Sequence, residues 1–200
     1  LAPITGYTHP VFGQAGLEAS LDDYLRGLQG NPMSLILSDQ LVYGTPPAGL
    51  DVRLSLDLKL QARADELLGN HTGAIIVMNA ETGEILVMAS HPTYDPNKLD
   101  EEGDTLSQDK TSPLLNRAAQ GLYPIGNVLS PLIEARFGNN DPTESELLSF
   151  YNEMGLFQAP LITLPVTSSA SSTLNELRGS PLQVCMAASM ISHQGILPAP

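Results

Sequence analysis

Two largely apolar runs joined by a short polar segment form the clearest pattern in the chain. Residues 74–78 and 84–88 flank the segment 79–83, in which Gly83 can adopt the positive φ of a tight turn. The pattern predicts a β-hairpin. Because both runs are apolar without strict alternation, we expect strands covered on both faces, as in the centre of a layered arrangement.

Helical spacing and helix-end signals predict helices on both sides of this hairpin. Asp57 is a good N-cap for a helix reaching Leu68, on which Leu60, Ala64 and Leu67 share one face. The other predicted helices cover residues 17–25, 114–122, 127–137, 144–153 and the stretch from Pro181 to before Gly195.

Short apolar runs and turn formers fill the rest of the chain. Short strands are predicted at residues 34–38, 40–43 and 52–56, and a polar, proline-punctuated surface loop at residues 91–113. We divide the chain into an N-terminal lead-in segment, residues 1–50, and a domain, residues 51–200. The predicted fold class is α+β, with an antiparallel sheet centred on the hairpin, helices packed on it and an irregular N-terminal segment.

Charge and length narrow the function classes. The 200 residues suffice for one domain with a real core. The net charge is −13, and the nine Lys and Arg residues are scattered singly. Nucleic acid and anionic membrane surfaces require clustered cations, so we expect no nucleic-acid partner.

No window reaches the roughly 20 apolar residues that span a bilayer. The start at Leu1, without an initiator Met or a signal peptide, is interpreted as a fragment of a longer protein.

Metal and cofactor motifs are missing from the sequence. The four histidines stand far apart without ligand-type spacing, and no glycine-rich phosphate loop occurs. The sequence therefore predicts no metal site and no cofactor. Cys185 is the single cysteine and lies in an apolar stretch, which favours a buried structural thiol.

Several longer strings, in order along the chain, resemble the transpeptidase domain of class B penicillin-binding proteins. The strongest is the hairpin string Gly-Ala-Ile-Ile-Val-Met-Asn-Ala-Glu-Thr-Gly-Glu-Ile-Leu-Val-Met-Ala-Ser, residues 73–90. The others are residues 3–18, 16–27, 54–61, 91–97, 112–118, 180–183 and 191–197. The resemblance covers most of the chain and implies a partial penicillin-binding-protein transpeptidase-like fold.

The same resemblance defines the candidate site. In this family a serine opens a helix in an SxxK motif, the lysine three residues later takes its proton, and the serine is acylated by a D-Ala-D-Ala stem peptide or a β-lactam. The family string GLYPPGSxxKP corresponds here to Gly-Leu-Tyr-Pro-Ile-Gly-Asn-Val-Leu-Ser-Pro, residues 121–131. Asn127 therefore stands at the position of the serine, and Ser130 at that of the lysine. We expect no acylation, because an Asn amide is not a nucleophile and a serine hydroxyl is not a base near neutral pH.

Two further motifs of the family are missing. The family's KTG motif needs a lysine, and none follows Lys110. Ser-x-Asn does not occur after Ser130, and residues 173–175, Thr-Leu-Asn, are the nearest string. Only residues 131–154 separate the SxxK-like string from the next family landmark at Gly155. We interpret the short interval as a deletion of the Ser-x-Asn region.

Three hypotheses remain open from the sequence. The first is a non-catalytic transpeptidase relative that acts in binding or assembly. The second is an active D-Ala-D-Ala transpeptidase or carboxypeptidase with Ser130 as a displaced nucleophile. The third is a structural module that dimerises through an unpaired outer edge of the hairpin.

The resemblance also implies partners and a location. It implies peptidoglycan, or cell-wall and division proteins, as partners, with a homodimer through the sheet edge as a further interaction. It places the parent protein at the extracytoplasmic face of a bacterial cell membrane.

Overall fold

The structure, a computed structural model, describes residues 1–168 and 173–198. Its helices are α1 Ala2–Thr5, α2 Gly16–Ser20, α3 Asp22–Leu25, α4 Met33–Leu37, a π-helical turn Ser38–Tyr43, α5 Leu58–Leu68, 3₁₀ turns Pro96–Lys98 and Leu174–Glu176, α6 Leu99–Gln108, α7 Ser130–Phe137, α8 Glu144–Glu153 and α9 Pro181–Ser189. Its strands pair antiparallel as β1 Tyr7–His9 with β2 Gly13–Ala15, β3 Gly73–Met78 with β4 Ile85–His91, and β5 Tyr123–Pro124 with β6 Arg178–Gly179.

The predicted hairpin is confirmed as β3 and β4. Gly83 has φ +81°, as the turn requires, and a bulge interrupts the register beyond Val77. Helix α5 covers one face of the hairpin through Ala64 and Leu68, which contact Val87. Helix α9 covers the other face through Leu182 and Met186. The sheet therefore lies between two helices, and the predicted α+β class and layering are confirmed.

The outer edge of β4 is closed by Gln61 of α5 and by the segment that leads into this helix. The amide nitrogen of Gln61 donates to the C=O of Met88 at 3.3 Å, and its oxygen accepts from the Met88 N–H at 2.9 Å. The Asp57 N–H donates to Leu86 O at 2.9 Å and the Ser55 hydroxyl to Ile85 O at 2.7 Å. The strand predicted at 52–56 is wrong, because these isolated bonds do not form a ladder.

Helix α5 has the predicted bounds but not the predicted buried face. The Asp57 carboxylate accepts from the N–H groups of Lys59 and Leu60, which confirms the predicted N-cap. Gln61 is buried beside Ala64 and Leu68, whereas Leu60 and Leu67 are exposed. Gln61 takes the buried position instead of a leucine because the backbone of β4 needs a polar partner on this side of the sheet.

The N-terminal residues are integrated into the same core. Ile4 and Leu17 are buried with Met88 and Leu182 in one cluster. The buried Asn116 side chain donates to Pro3 O at 3.0 Å. The helix predicted at 17–25 is present as α2 and α3 with a break at Leu21. The proposed boundary at residue 50 remains a prediction, and these contacts join both sides of it.

The strands predicted at 34–38 and 40–43 are wrong. This segment is α4 followed by the π-helical turn, and most of its apolar side chains are exposed. The two ends of the segment are held together by the Asn31 side-chain amide, which donates to both Gly27 O and Ala48 O at 3.0 Å.

Two predictions around residue 110 also need correction. The stretch 91–113 is not only a loop, because it contains α6, anchored by Leu99 and by Gly103 at its contact with Phe12. Residues 114–122 form turns rather than a helix. The Asn116 side chain accepts from the N–H groups of the two residues after Arg117, so its oxygen replaces helical backbone bonding.

Helices α7, α8 and α9 build a second core beside the hairpin. Leu129, Met154, Leu156 and Leu177 are among its buried members. Helix α8 matches its prediction and begins with a Thr143–Glu146 capping box. Helix α9 begins at Pro181 as predicted, and the buried Gln183 side chain donates to three carbonyls of residues 155–158.

Candidate functional site

Residues 125–130 form a turn that leads from β5 into α7. Gly126 has φ +53°, the Val128 N–H donates to Ile125 O at 3.3 Å, and the Ser130 N–H donates to Asn127 O at 3.1 Å. Helix α7 begins at Ser130, so the predicted helix start at Asn127 is three residues too early. The two candidate positions thus lie side by side, Asn127 within the turn and Ser130 at the first helical position.

Neighbouring elements hold this turn in place. Strand β5 pairs with β6, with Tyr123 opposite Gly179, and the Ile125 N–H extends the pairing to Leu177 O at 3.4 Å. A Cβ at Gly121 would lie 2.7 Å from the Tyr123 hydroxyl, so this glycine lets the ring pack against the backbone. After the turn, the buried side chain of Leu129 anchors the start of α7.

The side chains at the two candidate positions lie at the protein surface. Asn127 and Ser130 are exposed, and neither makes a side-chain hydrogen bond to the residues that the structure describes. A nucleophilic hydroxyl needs an oriented base and donors for the developing oxyanion. Within residues 1–168 and 173–198, no base is hydrogen-bonded to the Ser130 hydroxyl.

An apolar cavity of about 370 Å³ adjoins the turn. It is lined by Ile76 of β3, residues 123–125, Val128, and Val184, Cys185 and Ala188 of α9, among others. Sequence reasoning missed this cavity, because its walls come from three separate parts of the chain. Cys185 is half-buried rather than buried, and burial raises the pKa of its thiol, which leaves it protonated and weakly nucleophilic near neutral pH.

Neither metal clusters nor membrane spans occur in the described part of the chain. No group of three or more His, Cys, Asp or Glu side chains there is placed to hold a metal ion. No helix there is long and apolar enough to cross a bilayer.

Comparison with known proteins assigns the family. A family profile described as the penicillin-binding protein transpeptidase domain matches residues 73–131, from β3 through the candidate turn. The peptidoglycan D,D-transpeptidase MrdA of Escherichia coli is 35% identical over 137 residues, which cover 63% of this chain. The chain carries a class B penicillin-binding-protein transpeptidase domain. The profile match ends at Pro131, so the transpeptidase domain includes Asn127 and Ser130.

Solved structures confirm the fold of this transpeptidase domain. Penicillin-binding protein A of M. tuberculosis, in its imipenem acyl-enzyme complex, superposes over 98% of this chain and 65% of its own, with a TM-score of 0.81 at 22% identity. Helicobacter pylori PBP2 in complex with MreC covers 78% of this chain, with a TM-score of 0.60 at 24% identity. The chain spans about a fifth of the length of E. coli MrdA.

Proposed function

We propose that this transpeptidase domain serves cell-wall synthesis as a non-acylating binding or assembly module. The observation that carries the proposal is the pair Asn127 and Ser130, which we align with the serine and lysine positions of the family motif from the flanking residues. Both residues lie inside the matched segment. The cell-wall assignment rests on the similarity to MrdA, a peptidoglycan D,D-transpeptidase.

The chemistry of these two positions supports the loss of acylation. A carboxamide at Asn127 has no lone pair of sufficient basicity to attack a carbonyl, and Ser130 supplies a hydroxyl where a neutral amine would accept the proton. Nucleophile and base are therefore lost together.

The remaining cleft supports a role in non-covalent recognition. We assign peptidoglycan stem peptides as its ligand class, with the extracytoplasmic face of the cell membrane as the location of the parent protein. H. pylori PBP2 was solved in a complex with MreC, so a second protein is a further partner class for this fold. The exposed turn at Asn127 and the cavity beside it provide an accessible surface for such contacts.

Fluorescent penicillin labelling tests the proposal directly. The chain is incubated with the probe, denatured and separated on a gel, with M. tuberculosis penicillin-binding protein A as the positive control. We expect a labelled band from the control and none from this chain. A covalent band that disappears in Ser130→Ala would overturn the proposal and establish Ser130 as a displaced nucleophile.

A double variant controls for folding. Asn127→Ser combined with Ser130→Lys restores the family residues at two exposed positions that make no side-chain hydrogen bonds to described residues. We expect its free energy of unfolding to stay within about 0.5 kcal/mol of the parent. An unlabelled, well-folded parent beside an equally folded double variant shows that chemistry, and not misfolding, accounts for the missing band.

A further inference from the structure

Residues 27–50 form a lobe that is apolar and almost free of charge. Asp39, which is half-buried, is the single charged residue in this range, although charged residues make up 16% of the whole chain. Exposed apolar patches of this kind mark contacts with a protein or a membrane. The tip of the lobe, residues 33–43, consists of α4 and the π-helical turn and exposes six large apolar side chains, those of Met33, Leu35, Leu37, Leu41, Val42 and Tyr43.

The lobe leaves the body of the domain and returns to it at one place. The Asn31 side-chain amide joins Gly27 O to Ala48 O, and the Leu50 N–H donates to Tyr24 O at 3.3 Å. Between these bonds α4 and the π-helical turn pack mainly on each other. The lobe is therefore a projection with a closed base.

The backbone of the tip is hydrogen-bonded within the lobe. Its path is helical, and at its end Gly44, with φ +63°, and Thr45 both donate their N–H groups to Asp39 O. Backbone groups that enter an apolar layer must be paired internally, because that layer offers no water. The tip meets this condition, whereas an open loop would not.

We propose that the lobe docks on a lipid membrane by inserting its tip into the interface between headgroups and acyl chains. Leu41, Val42 and Tyr43 are consecutive helical residues, so they project on different sides of the tip. A protein partner would contact one face, whereas a lipid layer surrounds the tip and covers all of them. Tyrosine is enriched at this depth, where its ring lies among acyl chains and its hydroxyl among headgroups. The tip is too short to span the bilayer.

The charge of the protein also favours a lipid surface at this lobe. The chain has a net charge of −13, so anionic headgroups repel most of its surface. The lobe carries one charged residue and can approach without that repulsion. Docking is then driven by apolar burial, and it requires neither anionic lipid nor low salt. The proposal goes beyond the function given above, because lipid contact does not depend on Asn127 or Ser130.

Flotation with phosphatidylcholine vesicles tests the docking. Leu41→Asp places a carboxylate in the tip and should weaken vesicle binding at least about tenfold. Leu161→Asp is the matched control, because it makes the same substitution and the same charge change at another exposed leucine outside the lobe. Leu41 is 79% exposed and Leu161 92% exposed, so neither variant disturbs the core. Circular dichroism verifies that both variants are folded.

We expect the parent and Leu161→Asp to float with the vesicles equally at low and at high salt. A parent that stays with the unbound fraction, or an equal loss of binding in both variants, would overturn the proposal. Binding that requires phosphatidylglycerol and disappears at high salt would overturn it as well, because such binding is electrostatic.

Tryptophan fluorescence provides a second measurement. The chain contains no tryptophan, so Tyr43→Trp introduces a single fluorophore at the tip, and Leu161→Trp introduces one outside the lobe. With vesicles, the emission of Tyr43→Trp should shift to shorter wavelength and be quenched by brominated acyl chains, while that of Leu161→Trp stays unchanged. A shift of Tyr43→Trp that needs no vesicles and grows with protein concentration would assign the lobe to a protein contact and contradict the proposal. Penicillin labelling is unaffected by either result, so the two proposals fail independently.

Discussion

The side-chain amide of Gln61 pairs with the backbone of Met88 through both of its polar atoms, at 3.3 and 2.9 Å. It thereby takes the place of the peptide group that a neighbouring strand would supply at the edge of β4. Gln61 is only 2% exposed, so water cannot replace either bond. One helical side chain therefore both anchors α5 and closes a sheet edge.

Replacing Gln61 by leucine should destabilise the protein by about 3 kcal/mol. The substitution keeps the side-chain volume but leaves one buried donor and one buried acceptor of Met88 unpaired. Urea denaturation followed by circular dichroism measures the change. Arg63→Ala, on the exposed side of the same helix, removes only a surface ion pair with Glu66 and should cost less than about 0.5 kcal/mol. A loss below 1 kcal/mol for Gln61→Leu would show that Met88 finds other partners.

A glycine pair tests whether the N-terminal segment belongs to the same cooperative unit. Gly6 has φ +80°, and a Cβ there would lie 1.8 Å from Ala15 O. Gly13 has φ +75°, but its Cβ would meet nothing within 4 Å. Gly13→Ala should cost about 1 kcal/mol of backbone strain, and Gly6→Ala at least about 2 kcal/mol more.

Thermal denaturation of both glycine variants makes the comparison. If residues 1–50 melt separately from the rest, Gly6→Ala will leave the main transition unchanged and produce an early, small one. A single transition shifted downward supports one unit, as expected from the contact of Asn116 with Pro3.

The capping box of α8 predicts a pH dependence. Hydrogen bonds from the Thr143 backbone N–H and hydroxyl lower the pKa of Glu146 in the folded protein below its ordinary value. A lowered folded pKa means that the contribution of Glu146 is complete above its unfolded pKa and is lost as pH falls through the folded pKa. The melting temperature of Glu146→Gln should therefore lie below that of the parent at pH 7 and approach it under acid conditions. A difference that is the same at pH 7 and pH 3 would contradict the assignment.

Elements with strong local signals could be predicted from the sequence. The hairpin combines two apolar runs with a glycine turn, α8 has a capping box, and α9 starts with Ser180 before Pro181. In these segments the tertiary environment agrees with the local preference. The assignment of Asn127 and Ser130 to the serine and lysine positions remains a prediction, which rests on the register of the flanking motif residues.

The remaining differences have physical causes that a local pattern does not contain. In α6 the contact with Phe12 uses Gly103, and a glycine carries no apolar signal. In α5 the buried face contains Gln61, because its side chain forms hydrogen bonds with the backbone of β4. The spacing of Leu60 and Leu67 therefore indicated the wrong face of this helix. Residues 114–122 form turns instead of the predicted helix, because the Asn116 side chain accepts hydrogen bonds from the backbone that follows it. The cavity beside the candidate turn is formed by three segments that lie far apart in the sequence, so no local pattern predicts it.

The closure of β4 by Gln61 also keeps other chains away from this side of the hairpin. An open strand edge presents unpaired N–H and C=O groups to which a strand of another molecule can add. Here the Gln61 amide occupies both of these groups of Met88. A substitution at Gln61 therefore exposes a site where intermolecular strand pairing, and with it aggregation, can begin.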